Sequence, residues 1–226
     1  MAAEMLEYRV DGAARRCPVW LPPDFTSDRR WPLVVFLHAY EERGDDGEHL
    51  VVGIGPALES EPGMFPCIVL LPQCPQGHVW SVVDRPWAEG MSGAEHHIDA
   101  AIDAVLGHYP VDATKIALTG ASMGGYGVFG YGAERAERFH ALAPICGGGD
   151  MGRAEVLTRT PLWAVHGSDD DVVPADESRR MITAITAAGG TRHRYTEVEG
   201  AGHDVWDVAY RDPSFLRFLS SGTLPR

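Results

Sequence analysis

Short apolar runs punctuate the chain at residues 33–37, 67–71, 115–119, 140–146 and 161–165, each bounded by turn residues. Runs of that length, continuous rather than alternating, fit strands buried on both faces of a parallel sheet. A further strand is read at 192–198. Between the runs the polarity changes period. Gly93 to Leu106 places Ile98, Ile102, Val105 and Leu106 on one stripe, which predicts an amphipathic helix. Asp176 to Ala188 repeats the pattern before a Gly189-Gly190 stop. Near the start, Leu6–Val10 and Cys17–Leu21 flank Asp11-Gly12, the signature of an antiparallel hairpin. Strands alternating with helices predict an α/β fold with a mostly parallel central sheet, helices on both faces and right-handed crossovers. No repeat, linker or low-complexity segment interrupts the pattern, so residues 1–226 read as a single domain.

Three strand ends carry chemistry. Gly120-Ala-Ser-Met-Gly124 follows the run at 115–119 directly and precedes a packed helix beginning near Tyr126. This is the G-x-S-x-G pattern of a nucleophile elbow, in which a serine stands on a turn too sharp for bulky neighbours. A nucleophilic serine needs a base, and the base needs an orienter. The strand at 161–166 opens into an acidic turn with Asp169, Asp170 and Asp171, and the strand at 192–198 ends in a glycine-rich loop presenting His203. The order is Ser122, an aspartate near 170, then His203, which is the chain order of α/β-hydrolases. The residues alone leave the three adjacent aspartates unseparated. The N–H of Met123, next to the nucleophile, is a candidate oxyanion-hole donor.

Longer stretches carry a resemblance. Phe36-Leu-His-Ala-Tyr-Glu-Glu-Arg-Gly-Asp-Asp46, Leu71-Pro-Gln-Cys-Pro75, Leu118-Thr-Gly-Ala-Ser-Met-Gly-Gly-Tyr-Gly127, His166-Gly-x-x-Asp-x-x-Val-Pro174 and Gly202-His-Asp-x-Trp206 resemble a family of bacterial α/β-hydrolase esterases. That family spans carboxylesterases, phospholipases and "predicted peptidases" near the dienelactone hydrolases. The resemblance implies an α/β-hydrolase fold, serine esterase chemistry and no cofactor. It puts the triad acid at Asp170, leaving Asp169 and Asp171 as solvated turn residues, and the second oxyanion donor at Tyr40. Ala39 and Glu41 depart from the family by standing where glycines are usual, which bears on the geometry of the hole. His38 is read as ordering this loop by hydrogen bonding, not as the base. Gln73, Trp80, Trp87 and Trp206 are the candidate substrate-binding residues.

Composition narrows the rest. A net charge of −13 and a single lysine, Lys115, argue against nucleic acid and anionic membranes as partners. No run approaches a membrane-spanning length, and no charged-then-apolar signal segment opens the chain, so a soluble cytoplasmic protein is expected. Cys17, Cys67, Cys74 and Cys146 lack metal-type spacing and read as reduced, packed thiols. His96 and His97 read as solvated: no third ligand is spaced nearby, and adjacent helix residues point apart, so no metal site is expected. The 147–160 segment is too short for a helical lid, which predicts an open cleft walled by loops 39–56 and 72–92. The expected function is a serine hydrolase of small or medium carboxylic esters, with a small-molecule ester as partner. The alternatives are a peptidase or amidase using the same triad and a non-catalytic ligand-binding homologue. Natural ester and oligomeric state are not legible.

Overall fold

The apolar runs line up as neighbours in one sheet in the computed structural model, which describes residues 3–47 and 52–225. The hairpin comes first: β1 (Glu4–Val10) and β2 (Ala13–Trp20) pair antiparallel. Their turn places Asp11 and Gly12 at φ 51° and 79°, as a two-residue hairpin turn requires. Then follow β3 (Trp31–Leu37), α1 (Ile54–Ser60), β4 (Ile68–Leu70), β5 (His78–Val79), β6 (Ser92–Gly93), α2 (Glu95–His108) and β7 (Val111–Ala121). The second half continues through α3 (Met123–Glu134), β8 (Ala141–Ile145), α4 (Ala154–Leu157), β9 (Leu162–Gly167) and α5 (Asp176–Ala187). It closes with β10 (His193–Val198), α6 (Trp206–Ala209) and α7 (Pro213–Ser221).

Eight strands form the main sheet in the order β1-β2-β4-β3-β7-β8-β9-β10, and β5 and β6 make a separate small ladder. Every pairing from β4 to β10 is parallel, while β2 meets β4 antiparallel. The sheet buries both faces because successive residues on a strand point to opposite sides. On β3, Leu33, Val35 and Leu37 join one core with Ile98 and Ile102 of α2, Phe129 of α3 and Ile185 of α5. Val34 and Phe36 of the same strand join the other with Ile54 and Leu58 of α1 and Phe215 and Phe218 of α7. Helices therefore cover both faces, as expected. The β8–β9 connection carries only a short turn, Met151–Arg153, and the four-residue α4, so no multi-helix lid is built there.

Some elements exceed the sequence reading. β7 starts four residues before the apolar run, and α1, α6 and α7 were not foreseen. α7 carried its own signals. Asp212 caps it by accepting from the Ser214 N–H at 2.8 Å, Pro213 occupies its first turn, and Gly222 ends it at φ 68°.

The aromatic face of α7 makes a testable claim. Phe218 is fully buried against Trp163 of β9, with ring centroids 5.8 Å apart. Phe218→Ala should cost about 3–5 kcal/mol. That corresponds to a fall in Tm of roughly 6–20 °C for a chain of this size, read by calorimetry. The exposed neighbour substitution Arg217→Ala should leave Tm nearly unchanged.

Candidate active site

β7 ends at Ala121, and the next residue, Ser122, turns the chain sharply at φ 57° and ψ −117° before α3 begins at Met123. A serine in that region is strained by about 1–3 kcal/mol. Backbone hydrogen bonds hold it there: its N–H donates to Ile145 O at 3.0 Å, and its carbonyl accepts from Tyr126 N at 3.0 Å. The flanking glycines serve close approach. A Cβ on Gly124 would lie 1.8 Å from Leu37 O, and one on Gly120 would lie 2.7 Å from both Leu37 O and Gly124 O. The turn leaves the Ser122 side chain half-buried at the mouth of a cleft, with the N-terminus of α3 beneath it.

His203 and Asp170 arrive from the two loops beyond β10 and β9. His203 Nε2 is 3.0 Å from Ser122 Oγ, and His203 Nδ1 is 2.7 Å from Asp170 Oδ2. The other carboxylate oxygen, Oδ1, accepts the N–H groups of Val172 and Val173 at 3.0 and 2.8 Å. Asp169 and Asp171 are exposed, so the structure brings only the middle aspartate to His203. The loops are laced together: Ser168 N donates to Val198 O, Asp169 N to Ala201 O, and Gly200 N to Ser168 Oγ. Burial pushes the Asp170 carboxyl up, but hydrogen bonds from His166, His203 and the Val173 N–H outweigh it and hold the group well below the usual carboxylate range. His166 opens the motif that places Asp170 and lies on a buried strand; the structure adds its contact with the Asp170 carboxylate, at 3.3 Å.

The loop after β3 supplies the opposite wall. Ala39 has φ −74° and ψ 171°, an extended conformation open to any residue, so alanine in place of glycine adds no strain here. No hydrogen bond among the described residues engages the N–H of Tyr40 or of Met123. The Glu42 carboxylate accepts from Ala39 N at 3.1 Å and Val52 N at 3.2 Å; residues 48–51 of the expected 39–56 wall lie outside the described residues. His38 is buried and accepts from Cys74 N at 2.9 Å through Nε2, so its Nδ1–H donates to Ala39 O at 2.7 Å. It orders the loop, as expected.

A cleft of about 540 Å³ opens over this arrangement, lined by Tyr40, Arg43, Gln73, Ser122, His203 and Trp206 among others. Trp206 sits edge-on to His203, 5.3 Å between centroids. Two substrate-binding expectations, Trp80 and Trp87, need correction. Trp80 is fully buried, and its indole N–H donates to His38 O at 2.9 Å, so it packs the loop and has no surface to offer a ligand. Trp87 stands behind the cleft, edge-on to Tyr40 and Tyr126, with centroids 6.0 and 5.4 Å away. Gln73 lines the cleft, but its amide is committed to Glu42 O, Asp46 Oδ1 and Gly47 N. A larger hollow of about 620 Å³ lies beyond Tyr126, edged by the Arg85–Glu177–Arg180 ion pairs and lacking the nucleophile.

The cysteines are free and buried. Burial pushes the thiols of Cys17, Cys67 and Cys74 up to about 12 and that of Cys146 well above its ordinary range. The solvated reading of the histidine pair holds for His96 but fails for His97, which is only 4 % exposed. Burial, with help from His96 and Arg15, pushes the His97 imidazole down to about 4. Asp11, from the hairpin turn, is the third potential ligand that spacing did not reveal, its donor within 4.8 Å of theirs. His96 is already engaged by Asp11 at 2.8 Å, and the Arg15 guanidinium faces His97 with like charge to any cation.

No family model matches the chain. Solved structures do. The crystal structure of a thermostable esterase superposes with a TM-score of 0.82 at 31 % identity, covering 96 % of this chain and 62 % of that one. The chain has the α/β-hydrolase fold. Its resemblance to α/β-hydrolase esterases, read from motifs, holds at this level too. A bifunctional acetylxylan esterase/xylanase of Neocallimastix patriciarum is 30 % identical over 169 residues, covering 73 % of this chain and 23 % of the relative. Feruloyl esterase D of Neurospora crassa is 24 % identical over 207 residues, covering 89 % and 69 %. The chain spans less than a third of the length of the first curated relatives it matches.

The α/β-hydrolase elbow can be tested on its own. Gly124→Ala drives a methyl into the Leu37 carbonyl and should destabilise by about 1–3 kcal/mol or more. Gly107→Ala, at an exposed position of α2 with nothing within 4 Å of its Cβ, should instead stabilise by about 0.5–1 kcal/mol. Urea denaturation of both variants checks the contrast.

Proposed function

We propose that the chain is a serine carboxylesterase in which residues 1–226 act as one catalytic unit. The observation that carries this reading is the unbroken Ser122–His203–Asp170 chain of contacts at 3.0 and 2.7 Å. Ser122 Oγ attacks the ester carbonyl carbon while His203 Nε2 takes its proton. The carbonyl electrons move onto oxygen, which the Tyr40 and Met123 N–H groups receive. Collapse breaks the bond to the alcohol oxygen, and His203 returns the proton to it. Water then attacks the acyl-enzyme by the same route and frees Ser122. Asp170 keeps the His203 proton on Nδ1 and stabilises the imidazolium. No step calls on a metal or organic cofactor.

Small and medium esters suit the cleft. Trp206 and Val172 offer apolar contact beside Ser122, and the −13 charge disfavours anionic substrates. The names of the relatives make acetyl and feruloyl esters of carbohydrates the first to screen. Ester cleavage stands ahead of amide cleavage because an amine leaves less readily and demands better-timed protonation.

Two outcomes test the reading. Ser122→Ala should lower hydrolysis of p-nitrophenyl acetate by roughly 10⁴- to 10⁶-fold with the fold intact. Asp170→Asn should slow it by on the order of 10⁴-fold, with Asp169→Asn and Asp171→Asn nearly silent. Residual activity above a few per cent in Ser122→Ala contradicts the assignment.

The pH profile follows from the direction of the Asp170 shift. A carboxyl held low stays charged as pH falls, so it does not titrate alongside the base. kcat/KM should therefore rise with pH through one ionisation, the loss of a proton from His203, and not two. A limb with slope two on a logarithmic plot contradicts this.

A further inference from the structure

We infer that His166, a residue with no place in the triad, is a positioning residue that holds Asp170 for the reaction. This rests on the esterase reading above. His166 lies on β9, four residues before the acid, and is fully buried, so it cannot meet a substrate.

Its hydrogen bonds place a proton on Nε2. Nε2 is 2.9 Å from Val173 O, and a carbonyl only accepts, so Nε2 carries a proton. The same N–H lies 3.3 Å from Asp170 Oδ2, the oxygen that His203 Nδ1 reaches at 2.7 Å. Two imidazoles thus share one carboxylate oxygen. At the other end of the ring, Nδ1 is 2.8 Å from Ser178 Oγ on α5, and that hydroxyl reaches Gly147 O at 2.8 Å. The ring therefore ties β9 to α5 and, through Gly147, to the loop after β8.

Two effects follow. Clamping the Val173 carbonyl fixes the residue whose own N–H donates to Asp170 Oδ1 at 2.8 Å. The carboxylate is held at both oxygens and cannot swing from His203. The shared Oδ2 is also less basic toward His203 than an unshared one, because a second N–H already draws on its charge. The other groups facing this cluster are the Cys146 thiol at the end of β8, Asp204 beside His203, and Glu197 opposite His166 on β10. None of them donates to Oδ2.

The test is a pH series of ester hydrolysis on the full chain. His166→Leu should lower kcat by on the order of tenfold or more, through misplacement of the acid, with KM little changed. Its kcat/KM midpoint should move upward by about half a unit as Oδ2 becomes more basic toward His203. His166→Gln, which restores an N–H donor, should bring the midpoint back toward wild type. Ser178→Ala, which frees the far end of the ring, should shift it in the same direction by less, and it carries the test if His166→Leu does not fold. A residue with only a packing role would lower Tm and leave the midpoint where it was. Wild-type midpoints in both Ser178→Ala and a folded His166→Leu overturn the inference while leaving the esterase reading intact. A wild-type chain that hydrolyses no ester overturns both.

Discussion

The approach of β3 to the first turn of α3 is the contact on which the site depends. At Gly124 the Leu37 carbonyl comes so close that no side chain fits between. That closeness brings the loop after β3 against the start of α3, so that Tyr40 and Ser122 line the same cleft. It also lets β7 end abruptly, so that Ser122 stands out on a strained turn. The strain is small beside the packing that imposes it. β7 lies in the middle of the sheet, paired on both sides by β3 and β8, and the cores on either face bury every residue of β7 from Ile116 to Ala121.

The second constraint is electrostatic. A carboxylate with no solvent-exposed side-chain surface would ordinarily take up a proton, yet Asp170 is surrounded by donors: two imidazoles and two backbone N–H groups. It stays charged beside the His203 imidazole. The arrangement also explains why the acid and histidine loops are laced to each other. Gly167 allows the crossing, since a Cβ there would lie 2.3 Å from Ala201 O. A rigid pair of loops holds a short Asp170–His203 contact without relying on substrate to form it.

Much of this was legible in the chain. The elbow, the order of the triad and the strand pattern all rest on local signals: glycines around a serine, apolar runs, turn residues. Separating Asp170 from its neighbours needed a motif register, and the structure agrees because only the middle position points inward from the turn. What local sequence could not carry was long-range side-chain use. Trp80 reads the same whether it packs or binds, and its indole N–H finds the His38 carbonyl 42 residues away. Gln73 reads as a polar group near the site, but its partners lie 26 to 31 residues back along the chain. His97 reads as half of a polar pair, yet it sits beside Ile98 on the covered side of α2 and under Arg15. α7 is a different case, since its cap, proline and terminal glycine are all local signals.

The central claim is that Ser122 is chemically activated by its surroundings, and a fluorophosphonate reports on that directly. The probe's phosphorus is attacked by an activated serine with loss of fluoride, leaving a stable adduct whose position is read by peptide mass spectrometry. The account predicts one adduct per chain, on the peptide carrying Ser122, with labelling slowed sharply in His203→Ala. A folded chain left unlabelled, or labelled at another serine at the same rate in His203→Ala, would contradict it.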